Sequence, residues 1–139
     1  MRLPNLSTDF WELRSAELSA AKYPDLFSIP LLSRRRSIRR GQAVKLIFDI
    51  ELEDETGNLT IQGERMWVIV SETCGQYYIG ILDSSPKSFS PSDSIYLCFG
   101  AEIPFLAEHV IDIDTPQKNM CNGSYHKILS VFGPDDYSL

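Results

Sequence analysis

The stretch from Glu64 to Ile113 constrains the fold more than any other, because it carries three β-like runs separated by readable turns. Met66 to Thr73 is dense in β-branched and aromatic residues, Cys74-Gly75-Gln76 follows, and Tyr77 to Asp83 is another run of the same kind. Two such runs joined by a short glycine-containing link predict a hairpin. Along the second run Tyr77, Ile79 and Ile81 share one face and Tyr78, Gly80 and Leu82 the other. Both faces are apolar, which is the pattern of a central or barrel strand. Gly80 stands where glycine normally weakens a strand, and so points to a bend, a bulge or a close backbone approach, as barrel corners require. Ser84 to Ser94 is rich in Ser and Pro and reads as a loop. Ile95 to Phe99 and His109 to Ile113 read as two further strands.

Upstream, Val44, Leu46, Phe48, Ile50 and Leu52 occupy alternate positions with Lys45, Asp49 and Glu51 between them, so Val44 to Leu52 is a strand with one core face. Glu53 to Asn58 is polar, contains Gly57, and turns the chain back towards the Met-Trp strand. Before this, a helix is expected over about 9–22: Thr8 or Asp9 can cap it, Glu12 stands three after Asp9, and Pro24 ends it. Phe10, Leu13 and Ala20 or Ala21 trace an apolar helical face interrupted by Glu17. Pro24 and Pro30 exclude helix from the next stretch, where Phe27, Ile29, Leu31 and Leu32 are expected to lie extended over the core.

These readings give an α+β chain, with an N-terminal helix packed on a strongly curved antiparallel sheet of about five strands, an SH3-like barrel. At 139 residues one domain is expected. Its parts are a helix at about 9–22, an extended segment at 24–43, a β-rich core at 44–113 and a loosely packed tail at 114–139. Apolar residues make up 43% of the chain, and the net charge of −6 argues against a generic nucleic-acid binder. Three cysteines, Cys74, Cys98 and Cys121, without a C-x-x-C spacing are read as reduced thiols of a cytoplasmic protein. No run has the roughly 18 apolar residues of a membrane span, and Met1 to Ser7 does not read as a secretion signal.

Arg34, Arg35, Arg36, Arg39 and Arg40 form the most uneven charge feature of this acidic chain. Without interleaved aromatic residues they lack the stacking platforms of a single-strand binder. No helix-turn-helix or zinc-finger spacing accompanies them. The expectation is a solvated or internally paired surface, with Asp49, Glu51, Glu53, Asp54 and Glu55 as candidate counter-ions, or a contact for an acidic protein partner. Catalytic templates find nothing. His109 and His126 fit no zinc spacing, Cys121 and His126 fall in a weakly patterned tail, and no P-loop or nucleophile-elbow motif occurs. No cofactor, metal or catalytic residue is assigned.

The ordered runs Glu64-Arg65-Met66-Trp67-Val68, then Tyr78, Gly80, Leu82-Asp83 and Pro86, then Ser92-Asp93-Ser94-Ile95, and finally His109-Val110-Ile111-Asp112, resemble the bacterial family called domain of unknown function 2314. Arg40-Gly41-Gln42-Ala43-Val44-Lys45-Leu46-Ile47-Phe48 is similar to the strand that opens those domains, so the resemblance spans roughly 39–113. Ser84, Ser92 and Gln42 depart from its pattern at turn positions. The family carries no assigned reaction, though proteins of similar layout occur among the immunity proteins of bacterial toxin systems, which is an association and not a mechanism. The leading expectation is a non-enzymatic protein-interaction module, with Arg34, Arg35, Arg36, Arg39 and Arg40 as the partner-binding residues. The alternative is a small-molecule binder or enzyme with a pocket near Trp67, Asp83 and His109.

Overall fold

Val44, Leu46, Phe48 and Ile50 are fully buried, and the strand they build, β2 (Ala43–Glu53), is the axis of the sheet. The computed structural model describes residues 2–84 and 97–114. Along its whole length β2 pairs antiparallel with β3 (Leu59–Cys74), from Glu53 opposite Leu59 to Ala43 opposite Ile69. β3 pairs with β4 (Tyr77–Leu82), and β4 with β5 (Glu102–Leu106). On its other side β2 holds two short strands end to end: β1 (Trp11–Leu13) opposite Phe48–Ile50, and β6 (Val110–Asp114) opposite Ala43–Leu46. Among the described residues six strands therefore occupy five lanes.

Closure follows from the path between the two edges. β5 is the last lane on one side, yet a single 3-10 turn, Ala107–His109, delivers the chain to β6 in the first lane. So short a link can join opposite edges only if the sheet curls strongly, and the result is a half-barrel with SH3-like strand order. Its interior contains Trp11, Leu46, Phe48, Val68, Leu82, Leu97, Ile103 and Phe105. Gly80 allows a close approach of β4 to β3: a Cβ there would lie 2.6 Å from Val68 Cγ2, and Ser71 is bulged out of the opposing strand. The hairpin ahead of it is a two-residue turn, Gly75-Gln76, with Cys74 opposite Tyr77. Gly75 has φ of 61°, which a type II′ turn asks of its first residue.

A second, smaller apolar layer covers the outer face. Ala16 of helix α2 (Ala16–Lys22) meets Ile47 and Ile111, and Phe27 and Ile29 cover the same spot.

The N-terminal segment departs from the expected helix over 9–22. Leu6–Asp9 is one helical turn, α1, capped by Asn5, and it stops at Phe10, whose φ is 65°. Trp11 and Leu13 are then buried and Glu12 is not, a period of two that suits β1 and not a helix. Ser15 restarts the helix by accepting a hydrogen bond from the Leu18 N–H. The helical periodicity was thus half right: α2 exists, and a strand stands where its first two turns were expected. A one-turn helix, α3 (Leu32–Arg35), interrupts the extended segment. β5 was not expected because Pro104 stands at its centre; an edge strand accepts it. Leu97 to Phe99 is not strand but leads into a turn at Gly100. The expectations for the serine-rich loop and the tail, including Cys121 and His126, fall outside the described residues.

Candidate functional site

Arg35 is the one arginine of the basic run that faces inward, with 6% of its surface exposed. Its Nε donates to the Pro30 carbonyl at 2.8 Å, and its Nη1 donates to Glu17 Oε2 at 2.6 Å and to the Ala107 carbonyl at 3.0 Å. Its own carbonyl accepts from the Tyr78 hydroxyl at 3.0 Å. One residue thus ties α3 to α2, to the 3-10 turn and to β4. Arg35 is not available to a partner as expected, because a guanidinium held by three acceptors cannot turn outward without leaving them unsatisfied.

Anchoring Arg35 fixes what its neighbours present. Arg34, Arg36 and Arg39 are exposed, and among the described residues none of them forms an ion pair. Arg40 is half-buried and has an interaction of its own. Two of the expected acidic counter-ions go elsewhere. Asp49 takes a two-pronged contact from Arg14 Nε and Nη2 across the outer face, which raises the Arg14 pKa further. Asp54 closes the β2–β3 turn by accepting from Thr56 and Asn58.

Apolar side chains accompany the free arginines. Phe27 and Ile29 are packed as expected, whereas Leu31 is 74% exposed and Leu32 39%, which corrects the expectation that both lie over the core. The alternation Phe27, Ile29, Leu31 is broken at α3, where the chain turns helical and lifts Leu31 and Leu32 away. Leu32 and Arg36 line an open groove of about 670 Å³ together with Glu17, Tyr78, Leu106 and Glu108.

The alternative pocket residues are only partly brought together. Asp83 N–H donates to the Trp67 carbonyl at 2.9 Å, so these two face one another across β3 and β4. Lys45 lies opposite Trp67 and Asp112 opposite Lys45, which makes an outer-face row of Asp112, Lys45, Trp67 and Asp83. The Lys45 ammonium sits 5.5 Å from the Trp67 ring centre, a cation–π contact. His109 is instead buried in the 3-10 turn. Its Nδ1 accepts from the Leu106 N–H at 3.0 Å, which places the proton of the neutral ring on Nε2. Burial lowers its pKa, against the opposing pull of Glu108 and Glu17. Neither the groove beside Arg36 nor a smaller one lined by Leu18, Tyr23 and Phe27 includes Trp67, Asp83 or His109.

Among the described residues no three metal-ligating side chains converge. No helix among them is long and apolar enough to cross a membrane. No family model matches the chain, and no curated protein or solved structure does either.

Proposed function

We propose that this chain is a non-enzymatic protein-interaction module whose binding surface is the segment from Leu31 to Arg39, and that its partner offers acidic groups beside an apolar side chain. The observation that carries this reading is the pairing of exposed Leu31 and Leu32 with exposed Arg34, Arg36 and Arg39 on a segment fixed by buried Arg35. Exposed apolar surface rimmed by charge is the usual composition of a protein contact. Arginine is over-represented in such contacts because its planar fork meets carboxylates in a fixed geometry. The net charge of −6 makes the three arginines a local exception, attractive to carboxylates at short range. The resemblance to domain of unknown function 2314, and through it to immunity proteins, supports a bacterial protein partner of this kind, and three cysteines without a C-x-x-C spacing support a cytoplasmic setting.

The test is capture from a lysate of the native host with the unmodified chain and with Arg34→Glu, Arg36→Glu, Arg39→Glu together as parallel baits. A protein retained by the first and lost from the second supports the reading. Loss of nucleic acid and of no protein replaces it.

A further inference from the structure

The two long strands of the sheet do not end together with their neighbours. β4 accompanies β3 only from Cys74 back to Val68, with Asp83 reaching Trp67, whereas β3 begins at Leu59. The first part of β3 therefore has β2 on one side and, from Leu59 to Gly63, no strand on the other among the described residues. All five of these residues are exposed, Leu59 by 66% and Ile61 by 52%.

The backbone orientation along this edge follows from the ladder. Glu51 N–H donates to the Phe10 carbonyl and Arg14 N–H to the Ile47 carbonyl, so the odd residues of β2 turn their polar groups towards β1. The even residues, Phe48, Ile50 and Leu52, consequently bond to their partners Glu64, Gln62 and Thr60. That leaves Leu59, Ile61 and Gly63 aiming both N–H and C=O at the open side. Such an edge is a template for another strand.

Other edges of this kind are blunted. β5 has Pro104 in its middle, β1 is three residues long, and β6 carries the charges of Asp112 and Asp114. The edge of β3 has none of these devices. Asn58-Leu59-Thr60-Ile61-Gln62 contains no charge and no proline, in a chain of which 23% is charged.

We infer that this edge is a self-association surface: two copies of the chain pair antiparallel through Asn58–Gln62 about a two-fold axis at Thr60. In this register Leu59 of each copy faces Ile61 of the other in a hydrogen-bonded pair, and Thr60 faces Thr60 in a non-hydrogen-bonded pair. Asn58 faces Gln62. No like charges oppose one another anywhere in the overlap, which is why a second copy fits where the chain's net charge of −6 would otherwise forbid it. The acidic residues beside this edge, Glu51 opposite Ile61 and Glu53 opposite Leu59, lie on β2. Across the joined sheet Glu51 and the other copy's Glu53 stand three strand spacings apart, about 14 Å, beyond the Debye length at physiological salt of about 8 Å. The two-fold axis consumes both open edges, so pairing stops at the dimer.

The contact is small, at the weak end of specific interfaces, so sedimentation equilibrium of the full chain is run up to about 0.5 mM at low and high salt. The expected result is a monomer–dimer equilibrium that tightens as salt screens the net charge. Ile61→Lys, at an exposed position, should shift it at least tenfold towards monomer with an unchanged circular dichroism spectrum, while Leu26→Lys, exposed far along the chain, should not. Thr60→Cys with Cys74, Cys98 and Cys121 changed to Ser gives a readout that does not depend on the lysine variant. It should form an intermolecular disulfide on mild oxidation, and Gln62→Cys in the same background should not. A chain monomeric throughout, a dimer indifferent to Ile61→Lys, or cross-linking equal at Thr60 and Gln62 would overturn the inference.

Discussion

Glu17 accepts the Arg35 Nη1 hydrogen bond at 2.6 Å from a position 18 residues away, and the same Nη1 donates to the Ala107 carbonyl, so Arg35 joins the helical layer to the turn that closes the half-barrel. Glu17 is 42% exposed at its side chain and Arg35 is buried, so the two partners are not equivalent. Arg35→Ala leaves the Pro30 and Ala107 carbonyls without a donor and should cost about 2–4 kcal/mol. Glu17→Gln keeps a hydrogen-bond acceptor in a place water can reach and should cost about 1 kcal/mol or less. Urea unfolding of the two variants checks the ordering; equal costs would mean that the carboxylate, not the buried guanidinium, organises the joint.

The contact between Gly80 and Val68 predicts a mutual dependence. Gly80→Ala places a methyl 2.6 Å from Val68 Cγ2 and 3.4 Å from Phe105 Cε1, an overpacked site that should lose about 1–3 kcal/mol. Trimming the opposing side chain by Val68→Ala should make the second change cheaper than it is alone. A double-mutant cycle with a coupling near zero would remove Gly80 as the point where the two strands approach.

Trp67 and Val68 are neighbours in β3 with opposite surroundings. Val68 is fully buried in the barrel interior, while Trp67 is half-buried on the outer face beneath Lys45. Val68→Ala should therefore cost about 2–3 kcal/mol. Trp67→Ala, which forfeits partial burial and one exposed cation–π contact, should cost about 1–2 kcal/mol. Chemical denaturation of both, with unchanged slopes, tests the assignment of faces.

Acid should weaken the fold through His109. Its folded pKa is depressed by burial below the ordinary value of 6.5, so the unfolded chain takes up the proton first. Stability is then unaffected well above pH 6.5 and falls as the pH drops through that value, until the folded form also protonates. Protonation would also set an N–H at Nδ1 against the Leu106 N–H. His109→Gln should flatten the stability–pH curve between about pH 7 and 5, which denaturation at a series of pH values can measure.

Much of this architecture can be read from residue spacing where one physical signal acts alone. β2 shows alternation, broken only at Ile47 where the outer apolar layer sits, because one of its faces is interior, and Gly80 betrays the tight approach because no side chain fits there. β1 was hidden because Phe10 and Leu13 satisfy helical spacing while Trp11 and Leu13 satisfy strand spacing over so short a run. β5 was hidden because Pro104 is excluded from central strands and only tolerated at an edge. The arginine run was legible as a feature but not as a division of labour. Nothing local distinguishes Arg35 from Arg34 and Arg36; its partners Glu17, Ala107 and Tyr78 are brought to it by long-range packing. Glu17 did carry a signal, as the one charge on an otherwise apolar helical face. Leu31 and Leu32 gave none, since apolar residues between prolines are as compatible with a covered segment as with a presented one.

The central claim is that Arg34, Arg36 and Arg39 present a protein-binding surface, and quantitative mass spectrometry of parallel captures tests it most directly. Three baits are compared: the unmodified chain, the triple Arg→Glu variant, and a Lys45→Ala, Trp67→Ala variant that alters the outer-face row instead. The account predicts a protein enriched on the first and third baits and lost from the second, and direct titration of that purified protein should reproduce the loss. Retention by the triple variant with loss from the Lys45, Trp67 variant would contradict it and move the site to the row of Asp112, Lys45, Trp67 and Asp83.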